Sequence, residues 1–225
     1  QICMLTVEAA LYKALVDKGI TPDVTAGLSL GEYGALIASG AMTMEDAFGV
    51  VRKRGIYMQE AVPTGGAMTA VLGLDPEKIE EICKETAQKE SAVVSIANYN
   101  CPGQIVITGQ KDAVDKAAAA CSEAGAKRAV PLKVSGPFHS KMLEGAGEKL
   151  GEALKDVEIH DIKVPYITNV TADYVASKDD VKDYLKRQVS SSVRWQQTIE
   201  RLIADGADEF IEIGPGRSLA GFMRK

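Results

Sequence analysis

The chain has 225 residues, 46% of them hydrophobic and 25% charged, a balance that supports a full hydrophobic core and argues against disorder over most of its length. A net charge of −5 with no basic, aromatic-interleaved stripe argues against non-specific nucleic-acid binding, and no stretch approaches the about 20 apolar residues of a membrane span. Cys3, Cys83, Cys101 and Cys121 show no CxxC pair, and the histidines are too few to complete a zinc site. The cysteines are expected to be reduced core thiols of a cytoplasmic protein with no metal.

The chain opens at Gln1 rather than methionine and enters an amphipathic run at once, without a signal-peptide pattern, so a segment upstream is expected. Residues 2–18 read as a helix with Leu5, Leu11, Leu15 and Val16 on its apolar face, ended by Gly19. A short apolar stretch, Val24 and Ala26, then runs into Gly27-Leu28-Ser29-Leu30-Gly31 and the helix-forming residues Glu32 to Ala38. That is the sequence form of a nucleophile elbow, in which a strand turns sharply into a helix at the serine and glycines on either side remove Cβ atoms that would collide. Ser29 would stand clear of the backbone, and the Leu30 N–H, at the helix start, would meet a developing negative charge as an oxyanion donor. The pentapeptide is short, and an idle serine in a glycine-flanked turn fits it equally well.

Residues 44–62 read as a helix with apolar residues at 47, 48, 50, 51, 56 and 58, carrying Arg52, Lys53 and Arg54. Glycines and a proline at 63–66 break it. Strand 67–74, helix 76–89, strands 93–99 and 104–109 joined through Pro102-Gly103, helix 111–125 and strand 128–134 follow, the βαββαβ order of a ferredoxin-like unit. His139 comes next, in Gly136-Pro137-Phe138-His139-Ser140, where a turn after a strand can present an imidazole to a cleft; a helix N-terminal histidine with Ser140 as a nearby cap is equally open. Helix 140–156, strand 164–170, helices 179–189 and 194–205, strand 209–213 and a closing helix from Arg217 complete the pattern. His160, in a charged link, reads as a solvated loop residue, and Asn169-Val170-Thr171 as an ordinary strand end. Gly214-Pro215-Gly216 reads as a structural turn, because a dinucleotide fingerprint needs glycine where Leu219 stands. The expected fold is α/β: a hydrolase-like, mostly parallel sheet body over residues 1–65 and 135–225, with a ferredoxin-like α+β subdomain at 66–134 inserted between Ser29 and His139 and a ligand cleft between the two.

Several separate stretches, in order and spanning nearly the whole chain, carry a likeness: Gly27-Leu28-Ser29-Leu30-Gly31-Glu32-Tyr33, Arg54-Gly55 with Met58-Gln59-Glu60-Ala61, Asn98-Tyr99-Asn100-Cys101-Pro102-Gly103-Gln104, Phe138-His139-Ser140, Asn169-Val170-Thr171-Ala172, and Val193-Arg194-Trp195 followed by Glu212-Ile213-Gly214-Pro215-Gly216. With them the chain resembles the malonyl-CoA:acyl carrier protein transacylases of fatty acid synthesis and the related acyltransferase domains of polyketide synthases. The resemblance implies a ping-pong transfer of malonyl from malonyl-CoA through an acyl-Ser29 to the phosphopantetheine thiol of acyl carrier protein, with no cofactor. It implies His139 as general base and acid, Leu30 N–H as oxyanion donor, and Arg54 as the group that captures the free malonyl carboxylate, a role its planar fork suits. It further implies that the histidine is oriented by a backbone carbonyl at Gln188.

Two departures accompany the likeness. Leu28 stands where family members usually carry histidine. The family's upstream GQGSQ loop, which supplies a second oxyanion donor and the first core strand, is not among these residues; a molecule lacking it is expected to have weak activity or none, and one that carries it upstream is not so limited. A serine thioesterase or esterase, and an idle carrier-protein-docking module, are the alternatives. Docking an acidic carrier on a chain of net charge −5 calls for a local basic patch, for which Lys127, Arg128, Lys133, Lys141 and Arg217 are candidates. Phe138 would narrow the pocket around the acyl α-carbon. The lack of long linkers favours a stand-alone enzyme, taken as a monomer.

Overall fold

In the computed structural model, residues 1–134 and 136–225 are described; Ser135, where the second part of the body is expected to begin, lies outside them. Helix α1, Ile2–Val16, turns Leu5, Glu8 and Ala9 inwards. This corrects the expected apolar face, since Leu11 and Val16 are exposed: α1 is apolar on more than one side, and only the side meeting the next helices is covered. Strand β1, Thr25–Ala26, leads through the elbow into α2, Gly31–Ala38, of which Glu32, Tyr33, Ala35, Leu36 and Ile37 are buried. Helix α3, Met44–Ala61, starts where Thr43 Oγ1 accepts the Asp46 N–H at 3.1 Å.

The next elements are β2 (Gly66–Leu72), α4 (Pro76–Glu90), β3 (Val94–Cys101), β4 (Gln104–Gln110), α5 (Lys111–Glu123) and β5 (Arg128–Pro131). Their sheet has the order β3-β4-β2-β5 and is antiparallel throughout. Period-two alternation divides its faces. Val71, Ile105 and Ile107 pack with Ile79 and Val114 of α4 and α5, while Met68, Ala70 and Val106 pack with Phe138 on the other side. A Cβ on Gly66 would lie 2.2 Å from Pro137 Cδ, so glycine at the start of β2 is what lets the loop bearing His139 lie against the sheet.

A 3₁₀ turn at Lys141–Leu143 precedes α6, Glu144–Leu154, so the regular helix is shorter than expected. Strand β6, Tyr166–Ile167, pairs with β1 in parallel, Thr25 with Tyr166 and Ala26 with Ile167. Then come α7 (Val181–Gln188), α8 (Trp195–Ala204) and α9 (Ser218–Phe222). Between α7 and α8 the chain runs along the edge of β3: the Val193 N–H donates to Ala97 O at 2.8 Å, the Tyr99 N–H to Val193 O at 2.9 Å, and Ser192 Oγ to Ile96 O at 2.6 Å.

The strand expected at 209–213 is not formed. A strand exists through its pairing, no strand of the described residues lies beside this segment, and Phe210 and Ile211 stay exposed. Glu212 within it caps α9, its two carboxylate oxygens taking the Leu219 and Ala220 N–H groups at 3.0 and 2.9 Å. Parallel strand pairing among the described residues is therefore that of β1 with β6, beside the isolated parallel bridge of Val193 to Asn98. All four cysteines are free, but Cys3 is exposed, unlike the buried Cys83, Cys101 and Cys121. No helix of the described residues is long and apolar enough to cross a membrane.

Candidate active site

The turn from β1 to α2 holds Ser29 at φ 55°, a left-handed conformation rare for a residue with a Cβ. The turn is closed tightly, and a Cβ on Gly27 would come within 2.0 Å of Gly31 C and O. Gly31 itself meets nothing within 4 Å, which corrects the expectation that both flanking glycines relieve a clash. Asn169 pins the turn from across the body: its Oδ1 accepts the Ser29 N–H at 2.5 Å, and its Nδ2 donates to Gly27 O at 2.6 Å. Read from sequence as an ordinary strand end, Asn169 is instead buried and specific, because β6 stops at Ile167 and leaves its side chain free to turn towards the elbow.

His139, also left-handed at φ 60° and buried, places Nε2 2.8 Å from Ser29 Oγ. Its Nδ1 lies 2.9 Å from Gln188 O and 3.2 Å from Ser191 O. Carbonyl oxygens only accept, so Nδ1 carries the proton and Nε2 presents a lone pair to the serine hydroxyl. Burial, and then the charge of Arg54, pull the imidazole down to about 4, which keeps it neutral at physiological pH.

Arg54 is fully buried on α3 and sits on the inward stripe with Ala47, Val50, Val51 and Met58, whereas Arg52 and Lys53 are exposed. Its Nη2 donates to Ser29 Oγ at 3.1 Å and to Gln188 Oε1 at 3.0 Å, and its Nη1 donates to Gln1 Oε1 at 2.6 Å. Its Nε finds no acceptor among the described residues, and burial lowers the affinity of the guanidinium for its proton. The Gln188 side chain also donates from Nε2 to Ser29 O at 2.9 Å and to Glu32 Oε2 at 2.7 Å, and the same carboxylate oxygen accepts the Asn169 N–H at 3.1 Å. Burial pushes the Glu32 carboxyl up, against the lowering effect of these hydrogen bonds and of Arg54. The Leu30 N–H has no acceptor among the described residues, since the bonds at the head of α2 begin with the Gly31 N–H on Leu28 O.

Ser29, Leu30, Arg54, His139 and Gln188 thus converge from separate parts of the chain. Sequence reasoning gave no role to Glu32, Asn169, Gln1 or the Gln188 side chain. For Glu32 and Gln188 a signal was present, because each falls among buried apolar neighbours of its helix, Gln188 in step with Val181 and Leu185. Of the remaining candidates, Lys127, Arg128, Lys133, Lys141 and Arg217 are exposed at the surface, and His160 is a partly exposed loop residue 3.6 Å from Glu158. No cluster of three metal-ligating side chains occurs among the described residues.

A half-buried serine paired with a buried histidine, beside an amide without an acceptor among the described residues, is an arrangement for acyl transfer, and comparison with known proteins agrees. A malonyl CoA-acyl carrier protein transacylase of Bacillus subtilis (strain 168) is 49% identical over 226 residues, covering 100% of this chain and 71% of the relative. The crystal structure of a malonyl CoA-acyl carrier protein transacylase from Clostridium perfringens is similar with a TM-score of 0.95 at 42% identity, over 100% of this chain and 70% of that one. A type II PKS acyl-carrier protein in complex with its malonyl-transacylase gives a TM-score of 0.94 at 42% identity, over 98% of this chain and 71% of that one. The acyl transferase domain family matches residues 1–224, and with relatives this similar over its whole length the chain belongs to that family.

Proposed function

We propose that this chain transfers a malonyl group from malonyl-CoA to the phosphopantetheine thiol of acyl carrier protein, in fatty acid synthesis, through an ester on Ser29. The observation that carries the reading is the single cluster in which Ser29 Oγ meets both His139 Nε2, at 2.8 Å, and the buried Arg54 Nη2, at 3.1 Å. Ser29 Oγ attacks the thioester carbonyl as its proton passes to His139 Nε2, and the oxyanion is held by the Leu30 N–H. The C–S bond breaks, and His139 returns the proton to the departing CoA sulfur. In the second half the carrier thiol gives its proton to His139 and attacks the ester, and Ser29 Oγ leaves with that proton. Arg54, beside the nucleophile, takes the free carboxylate of the acyl group, for which a buried guanidinium short of acceptors is suited.

Two carbonyls behind His139, rather than a carboxylate, support this reading over a hydrolase triad. In it residues 1–65 and 135–225 carry the chemistry around the inserted unit at 66–134. The acidic carrier protein docks on exposed basic residues, of which Lys127 and Arg128 share a cleft with Lys225. No cofactor takes part, and the enzyme acts in the cytoplasm as a monomer.

Intact mass after brief incubation with malonyl-CoA tests the proposal. A malonyl adduct is expected on the parent chain, none on Ser29→Ala, a slower one on Arg54→Ala by at least about tenfold, and loss of the adduct on adding holo acyl carrier protein. Loss of the adduct to water at the same rate without the carrier would overturn transfer in favour of hydrolysis.

A further inference from the structure

We propose that Glu32 is a positioning residue that, through the side chain of Gln188, fixes Arg54 against the free carboxylate of the acyl group. The inference rests on the transfer reading above and assigns its acyl selectivity to a carboxylate that touches no substrate.

The amide of Gln188 is the link between Glu32 and Arg54. Its two ends are chemically opposite, and only one orientation satisfies all of its neighbours. Ser29 O and Glu32 Oε2 both take Nε2, at 2.9 and 2.7 Å, and the backbone carbonyl can only accept. Oε1 is thereby turned to Arg54 Nη2 at 3.0 Å. Without Glu32 the Nε2 end keeps one acceptor, Ser29 O, in place of two, and the hold on the amide that presents Oε1 to the guanidinium is loosened. Two-point capture of a carboxylate depends on the plane of the guanidinium, so freeing one corner loses part of the recognition. Glu32 is itself held, because the same oxygen takes the Asn169 N–H at 3.1 Å and the residue is fully buried.

The test compares kcat/KM for malonyl-CoA and for acetyl-CoA, which lacks the carboxylate, in the parent, Glu32→Leu, Glu32→Gln and Gln188→Leu. The malonyl-to-acetyl ratio should fall at least about tenfold in Glu32→Leu and in Gln188→Leu, and recover most of its value in Glu32→Gln, which keeps an acceptor oxygen. A merely structural role lowers both substrates alike, so a ratio within about twofold of the parent overturns the proposal. If Glu32→Leu does not fold, Gln188→Leu decides the matter by the same ratio, since it deletes the relay and leaves the backbone carbonyl in place. A parent chain that takes a fluorophosphonate probe on Ser29 but no malonyl group would refute the transfer reading instead. The relay is then judged by how well free malonate shields Ser29 from the probe, and shielding undiminished in Glu32→Leu and Gln188→Leu refutes it.

Discussion

At the residue scale, the two partners in proton transfer, Ser29 and His139, both occupy left-handed backbone conformations, at φ 55° and 60°. Each such residue costs about 1 to 3 kcal/mol, so the surrounding hydrogen bonds must hold it there. Asn169 does so for Ser29, and the carbonyls of Gln188 and Ser191 fix the tautomer of His139. The imidazole is drawn down to about 4 by burial and by Arg54. The acylation rate constant, kcat/KM for malonyl-CoA followed by stopped flow, should therefore stay level as pH falls through 6 and drop only near the histidine's own value of about 4. Bound malonyl carboxylate offsets the charge of Arg54, so the acid limb of kcat should lie higher than that of kcat/KM. An acid limb of kcat/KM centred at the ordinary 6.5 would contradict the environment described for this residue.

At the element scale, helices carry the site by placing polar residues on stripes that are otherwise apolar. Arg54 occupies the stripe of Ala47, Val50, Val51 and Met58, and Gln188 that of Val181 and Leu185. The period of 3.6 residues sets Arg54 in step with that stripe and Arg52 and Lys53 out of it, a signal that the sequence reading did not use, since it grouped the three and gave Arg54 its role through the family resemblance. The βαββαβ order and the elbow were legible, because each is written in local periodicity and turn residues. The strand expected at 209–213 was not, since pairing depends on what lies beside a segment, and neither was Asn169, whose partners are more than a hundred residues away in the chain. The two elbow glycines, alike in sequence, should separate in the laboratory. Gly27→Ala, with its Cβ 2.0 Å from Gly31 backbone, should abolish the malonyl adduct and lower the melting temperature. Gly31→Ala, facing open space at the head of α2, should change stability by less than about 1 kcal/mol in urea unfolding.

At the scale of the whole molecule, His139 couples folding to pH. Its folded value of about 4 lies below the ordinary 6.5, so the unfolded chain takes the proton first. Its contribution to stability is intact above 6.5, is lost progressively as pH falls towards 4, and is constant below that, a total of roughly 3 kcal/mol. Glu32, raised by burial, works in the opposite sense in the acid range, so the measurement should be the difference in urea-unfolding free energy between the parent and His139→Gln across pH 7 to 4. A difference independent of pH would show that His139 titrates normally in the fold.

The bond between the segment at 191–193 and the edge of β3 has a consequence for module exchange. The carbonyls that aim His139 come from Gln188 and Ser191, and the chain just beyond them is stitched by main-chain hydrogen bonds to Ala97 and Tyr99. The inserted unit is in that sense the back wall of the histidine, and a swapped-in substitute from a relative must reproduce the register of Asn98 with Val193 or tilt the base away from the serine. Chimaeras cut at the ends of the 66–134 unit should therefore be chosen by the match of that one edge strand, and the two helices behind the sheet, provided that their buried faces still fill its core, can differ on their outer sides.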